Sequence, residues 1–174
     1  MRVWVHLILL SFSITSWSQN LVPNPGFEQY FKCPGSYNYS TSGKVAPGWL
    51  SPSTGTPDLF NKCSFGEAGV PDNWAGRSNS YSGSGYAGIY AFITGREKEY
   101  REYLQAELIS PLQKGATYLV EFHYKLSSHS KYSIDRLGFL LSDSAYKMAD
   151  DGVFLRKSSY EKINMTLYNS RVTR

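Results

Sequence analysis

Charge is scarce in this chain and histidine scarcer: 18% of its 174 residues are Asp, Glu, Lys or Arg, and three are His. No segment gathers Lys and Arg into a stripe, and the formal net charge of +4 falls by one if Arg2 leaves with a leader. Binding to a phosphate backbone needs clustered cations interleaved with stacking rings, so nucleic acid is not an expected partner. Only two cysteines occur, Cys33 and Cys63, with no Cys-x-x-Cys pair and no histidine near either in sequence. That excludes a zinc finger and a dithiol redox site. Beyond the N-terminus, no apolar run approaches the roughly 20 residues that a helix needs to cross a bilayer. There is no Gly-x-Ser-x-Gly elbow. His123 and His129 stand outside any catalytic phrase, and Asp135-Arg136 reads as a surface ion pair. The motif inventory therefore predicts no enzyme.

What is present begins with a leader pattern. Arg2 precedes an apolar run from Val3 to Leu10, and a polar, small-residue stretch ends in Ser16-Trp17-Ser18. This layout predicts a signal peptide over 1–19 and an exported protein, extracellular, periplasmic or associated with an outer membrane. Residues 20–174 then make a single domain. In an oxidising compartment the two cysteines are expected to pair as Cys33–Cys63, which stabilises the fold by roughly 3 to 4 kcal/mol by restricting the unfolded chain.

Aromatic residues are abundant, with 14 Tyr, 9 Phe and 4 Trp beside 15 Gly. Such a composition suits pleated sheet and predicts an all-β fold, an antiparallel β-sandwich. Residues 32–85 hold Pro34, Pro47, Pro52, Pro57 and Pro71 among many glycines. That density predicts surface loops wrapped over a scaffold, each turn anchored to a core by Trp49, Leu59, Phe60, Phe65, Val70 and Trp74, with 80–85 a flexible tip. The strands are expected later. Residues 86–93 are apolar on both faces and read as a central strand. Along 103–108, Leu104, Ala106 and Leu108 share a face. Along 117–125, Tyr118, Val120, Phe122 and Tyr124 oppose Glu121, His123 and Lys125, the clearest half-buried alternation in the chain. Residues 137–141 supply a further strand.

Asn20-Leu21-Val22-Pro23-Asn24-Pro25-Gly26-Phe27-Glu28, followed by Trp49, resembles the opening of galactose-binding-like jelly-roll domains, which include many carbohydrate-binding modules. Leu108-Ile109-Ser110-Pro111-Leu112 with Gly115 and Tyr118 resembles their middle strands. Gly55-Thr56-Pro57-Asp58-Leu59-Phe60-Asn61-Lys62-Cys63, Gly69-Val70-Pro71-Asp72-Asn73 and Tyr86-Ala87-Gly88-Ile89 resemble N-terminal regions of cell-envelope proteins. In those, the module often precedes an outer-membrane-protein-A-like domain or a sorting tail. The resemblance implies a jelly roll whose closing strands, along with a downstream envelope-anchoring domain, are missing after residue 142. It also implies one structural calcium ion held by Glu28, for which Asp150 or Asp151 would be a partner. Calcium takes six to eight oxygens, so Glu28 alone is not a site, and Asp150-Asp151-Gly152 also reads as a plain turn.

The leading functional expectation is a non-catalytic module that binds a glycan or cell-wall polymer, because aromatic rings with polar tips stack on sugars. Trp74, Tyr81 and Tyr86 are the candidate platform. Trp49 reads instead as a core plug beneath the N-terminal segment. The alternative is a structural or adhesive spacer with no small ligand, and a secreted hydrolase is a third reading.

Overall fold

Glycine and proline recur so closely over 32–85 that no strand there exceeds four residues, and the architecture is assembled from short pieces. The computed structural model describes residues 19–37, 43–95, 99–134 and 137–153. Residues 1–18 of the expected leader, and the Asp135-Arg136 pair, lie outside the described residues. Among the described residues there is no helix, hence none long and apolar enough to cross a membrane, and every strand pairing is antiparallel. The fold is all-β, as composition predicts.

Strands β1 (Lys44–Ala46) and β2 (Trp49–Leu50) form a hairpin over Pro47-Gly48, and β2 pairs with β7 (Gln105–Ala106). Proline followed by a glycine at positive φ is the chemistry of a type II turn, and Gly48 has φ 83°. A Cβ on Gly48 would also stand 2.7 Å from Pro23 Cβ, so the N-terminal segment can lie against this turn. Strand β3 (Asp58–Asn61) pairs with β6 (Gly85–Gly88), Phe60 facing Tyr86 across the ladder. Strands β4 (Asp72–Asn73) and β5 (Gly76–Arg77) make a third sheet, a two-stranded hairpin. Arg77 Nη1 spans it to both Asp72 oxygens at 2.8 and 2.7 Å.

The core is the surprise of the fold. Val45, Ala46, Leu59, Phe60 and Ala68 are all at most 2% exposed, and Pro34 and Pro57 are fully buried beside them. They come from the segment that sequence reading assigns to surface loops; of its expected anchors Leu59 and Phe60 are buried, while Phe65 is fully exposed. Five of the seven strands also lie there, so 32–85 is corrected from wrapping to scaffold. Proline is itself an apolar side chain, and short bridges between turns suffice to pair buried backbone groups. The 80–85 stretch is tied down as well, since Ser84 and Gly85 donate to Glu28 and Lys62 Nζ donates to Gly83 O at 2.8 Å.

The later strands are corrected in the opposite sense. Only Tyr86, Ala87 and Gly88 of 86–93, within β6, and Gln105–Ala106 of 103–108 pair, while 117–125 and 137–141 are not strands. Within 117–125 Leu119 is 87% exposed, and Val120 and Phe122 are also exposed. Alternation states which side chains would share a face, but a strand exists only when another supplies its hydrogen bonds. Non-strand connections hold this half instead. Ser127 Oγ donates to Ala75 O, and Arg77 N–H donates to Ser128 Oγ at 3.0 Å, strapping the 127–129 turn over the β4–β5 hairpin. Residues 148–151 run beside 52–54 and 101, through Met148 N–H to Pro52 O at 2.6 Å, Thr54 N–H to Asp150 O at 3.3 Å, and Arg101 N–H to Asp151 O at 2.8 Å.

The expected disulfide is present, Cys33–Cys63 with Cα atoms 6.0 Å apart. It ties the segment before β1 to the turn after β3, across a sequence separation of 30. Replacing both cysteines by serine is expected to lower the unfolding free energy by about 3 to 4 kcal/mol in urea titrations, the chain-entropy value for a loop of this size. An unchanged midpoint would show that the Asn61–Ala68 backbone bond and its neighbours suffice to hold this turn.

Candidate functional site

An open cleft of about 340 Å³ lies at the meeting of β3, the β4–β5 turn and the segments around Tyr90 and Tyr100. Trp74 reaches it because it occupies the turn of the β4–β5 hairpin. Asn73 makes that turn: its Oδ1 accepts from Ala75 N–H at 3.1 Å, while its Nδ2 donates to Gly69 O and to the Tyr86 hydroxyl. The backbone of Trp74 is held on both sides, its N–H donating to Glu67 O at 3.0 Å and its carbonyl 2.9 Å from His129 Nδ1. That last contact requires the imidazole proton on Nδ1. The indole Nε1 is buried with no hydrogen-bond partner.

Aromatic rings line the cleft in sequence around Trp74. Its centroid is 5.7 Å from Tyr90 at an interplanar angle of 34°, and 6.3 Å from Tyr37 at 67°. Tyr100 stands 6.1 Å from Tyr90 at 72°. Phe60 lies behind, 6.4 Å from Trp74 and 5.0 Å from Tyr86. Trp74 and Tyr90 are only tilted against each other, while Tyr37 and Tyr100 stand edge-on to them at either end, so the rings do not form one flat shelf.

Two acids complete the lining, Asp58 at the start of β3 and Glu102. Both are buried, at 5% and 4% exposure. A carboxylate so placed needs donors, and Glu102 has three from three parts of the chain: Thr56 N–H at 3.2 Å, the Tyr100 hydroxyl at 2.5 Å and Tyr90 N–H at 2.8 Å. Glu102 N–H returns a bond to Tyr90 O at 2.9 Å. Burial pushes the Tyr100 phenol above its usual 10, and the hydrogen bond to Glu102 with the acid's charge adds to the rise. Burial also raises Tyr86, with hydrogen bonds to Asn73 and Ser78 opposing it.

Of the three platform residues read from sequence, Trp74 alone lines the cleft. Tyr86 is part of the packing beneath it, against Phe60. Tyr81 is 77% exposed and stacks on His123 at 3.5 Å, with His123 Nε2 3.1 Å from Glu121, apart from the cleft residues. Trp49 does serve the fold, its ring 4.9 Å from Phe27 and its Nε1 donating to Asn24 O at 3.0 Å. Glu28 spends both oxygens on Ser84 N–H, at 2.8 and 3.0 Å, and one also on Gly85 N–H. Asp150 Oδ1 caps its own turn through Gly152 N–H, and the Asp150 and Asp151 carbonyls accept from Thr54 and Arg101. Among the described residues no three His, Cys, Asp or Glu are grouped to hold a metal ion. Glu28 and Asp150 are thus engaged in bracing and turn contacts with backbone N–H groups.

Asp58 and Glu102 were missed by sequence reading. The only signal available was an acid flanked by tyrosines, Tyr100-Arg101-Glu102-Tyr103, and an acid leading an apolar strand, Asp58-Leu59-Phe60. Comparison with protein-family models, curated proteins and solved structures found no match.

Two outcomes are expected from this geometry. Glu102→Ala strands three donors in a buried setting and should lower stability by about 2 to 4 kcal/mol, with Glu102→Gln intermediate, in denaturant titrations. Secondly, Tyr86 and Tyr100 hold their protons more tightly folded than unfolded. Their contribution is full below the unfolded pKa of about 10 and is lost as pH rises through the higher folded values. The urea midpoint should therefore hold at neutral pH and drop in alkali, and the double variant Tyr86→Phe, Tyr100→Phe should flatten that drop.

Proposed function

We propose that this protein is an exported, non-catalytic recognition module of the galactose-binding-like jelly-roll kind, which takes a glycan or cell-wall polymer in the aromatic cleft. The observation that carries the reading is the cleft itself, a concave site of about 340 Å³ with Trp74, Tyr90 and Tyr100 as walls and the carboxyl groups of Asp58 and Glu102 in its lining. Its volume lies at the small end of ligand sites, which run from about 300 to 1,000 Å³. Sugars offer apolar ring faces to aromatic side chains and hydroxyl donors to carboxylates. The Cys33–Cys63 disulfide supports export, since such bonds persist in oxidising compartments. The alternative of a ligand-free envelope spacer is disfavoured by the same cleft, because a spacer has no use for a concave site walled by aromatic rings.

A glycan array followed by calorimetry on the full chain tests the reading. Tyr37→Ala and Tyr90→Ala are expected to weaken binding roughly tenfold each, in the range of ring contacts worth about 1 kcal/mol or more. Tyr81→Ala, which lies off the cleft, is expected to leave binding unchanged. Loss of binding in Tyr81→Ala alone would move the site to the exposed Tyr81–His123 stack, and an array without signal would leave the spacer.

A further inference from the structure

Residues 116–127 run without a turn or bend, yet no strand of the fold pairs with them. Within 117–126 every residue except Tyr124 is exposed. Among the described residues none of their backbone N–H or carbonyl groups is hydrogen-bonded. The side chains nevertheless alternate as those of a strand do. Tyr118, Val120 and Phe122 are 39, 44 and 37% exposed and the Tyr124 hydroxyl is buried, so this face rests against the body. Leu119, at 87%, belongs to the outward set with Glu121, His123 and Lys125. Tyr81, stacked on His123, pins the segment at one point. An extended amphipathic segment whose ladder groups are open is a template for another strand.

Its charges select the strand it takes. Glu121 has His123 as its ion-pair partner, 3.1 Å away, and Lys125 makes no ion pair among the described residues. Laid antiparallel on a second copy with the two-fold axis at His123, the segment sets Glu121 opposite Lys125 of the partner subunit, and Lys125 opposite Glu121 of the partner subunit. On the other face the same register sets Val120 against Leu126 and Phe122 against Tyr124. Centred on Glu121, the pairing would oppose two glutamates, and centred on Phe122 it would put Leu119 against Lys125. Opposite charges and apolar pairs across a ladder stabilise it, and like charges directly opposed destabilise it. One register therefore satisfies both faces at once.

We infer that 117–126 is a homodimerisation edge, through which two copies of this chain join as an antiparallel ribbon centred on His123. A two-fold axis makes such an interface isologous, each copy giving and receiving the same two charge pairs. The edge is separate from the aromatic cleft and shares none of its lining residues.

Sedimentation velocity on the full chain from about 5 to 200 µM is expected to show a monomer–dimer equilibrium with a dissociation constant in the roughly micromolar range. Glu121→Lys and Lys125→Glu, each alone, bring like charges together at both symmetry-related positions and should weaken the dimer at least about tenfold. An equimolar mixture of the two single variants restores both opposite-charge pairs, as does the double exchange in one chain, and each should recover most of the original affinity. In hydrogen exchange, amide protection over 117–126 should rise with protein concentration. A monomer across the whole range would overturn the inference. So would a dimer indifferent to the single reversals, or one weakened by them that neither the mixture nor the double exchange restores. Protection of these amides in the monomer, independent of concentration, would show that another segment of the same chain covers the edge and would likewise overturn it.

Discussion

A carboxylate at 4% exposure persists only where donors surround it, and around Glu102 those donors come from three separate stretches of chain. Thr56 leads into β3, Tyr90 follows β6, and Tyr100 precedes the acid itself. No strand ladder joins Glu102 to these segments, so the acid does by side chain what a longer sheet would do by backbone. Its exchange with Tyr90, one bond in each direction, fixes the ring that stands between Trp74 and Tyr100. The walls of the cleft are thus spaced by a polar group that also faces into it.

The same economy recurs at smaller scale. Asn24 receives Gln29 N–H on its side-chain oxygen, gives its amide to Pro47 O and Gln29 O, and accepts Trp49 Nε1 on its carbonyl, which settles the N-terminal segment on the β1–β2 hairpin. Glu28 gathers Ser84 and Gly85, and Asn73 holds the Trp74 turn. Strands of two to four residues satisfy few backbone groups. Side-chain oxygens and amides must satisfy the others, because unpaired buried backbone is costly. The loop between Cys33 and Cys63 is closed covalently over the same region.

Several features were legible in advance because they are properties of residues rather than of neighbours. Two cysteines paired, aromatic and glycine-rich composition gave a sheet protein, and the Asn24 to Glu28 phrase did organise the N-terminal end around Trp49. Others were misread for one reason. The alternation over 117–125 describes a strand's two faces but not its partner, and none of the described residues pairs with it. Prolines over 32–85 suggest surface, yet Pro34 and Pro57 are among the most buried side chains. Trp74 was picked out as a platform residue by its place in a loop-rich stretch, whereas Tyr81, chosen on the same ground, points to a different surface.

Local chemistry, then, was enough to determine the all-β class, the shortness of the early elements and the cysteine pairing, since propensity, turn residues and thiol count act within a few residues or without a choice of partner. Which strands paired, where the core lay and which acids joined the aromatic rings were decided only by the tertiary structure. Asp58 and Glu102 are 44 residues apart in sequence, and no local pattern states that a carboxylate will find Thr56, Tyr90 and Tyr100 together. That meeting depends on long-range burial, where the need to satisfy each enclosed charge selects one arrangement of the segments around it.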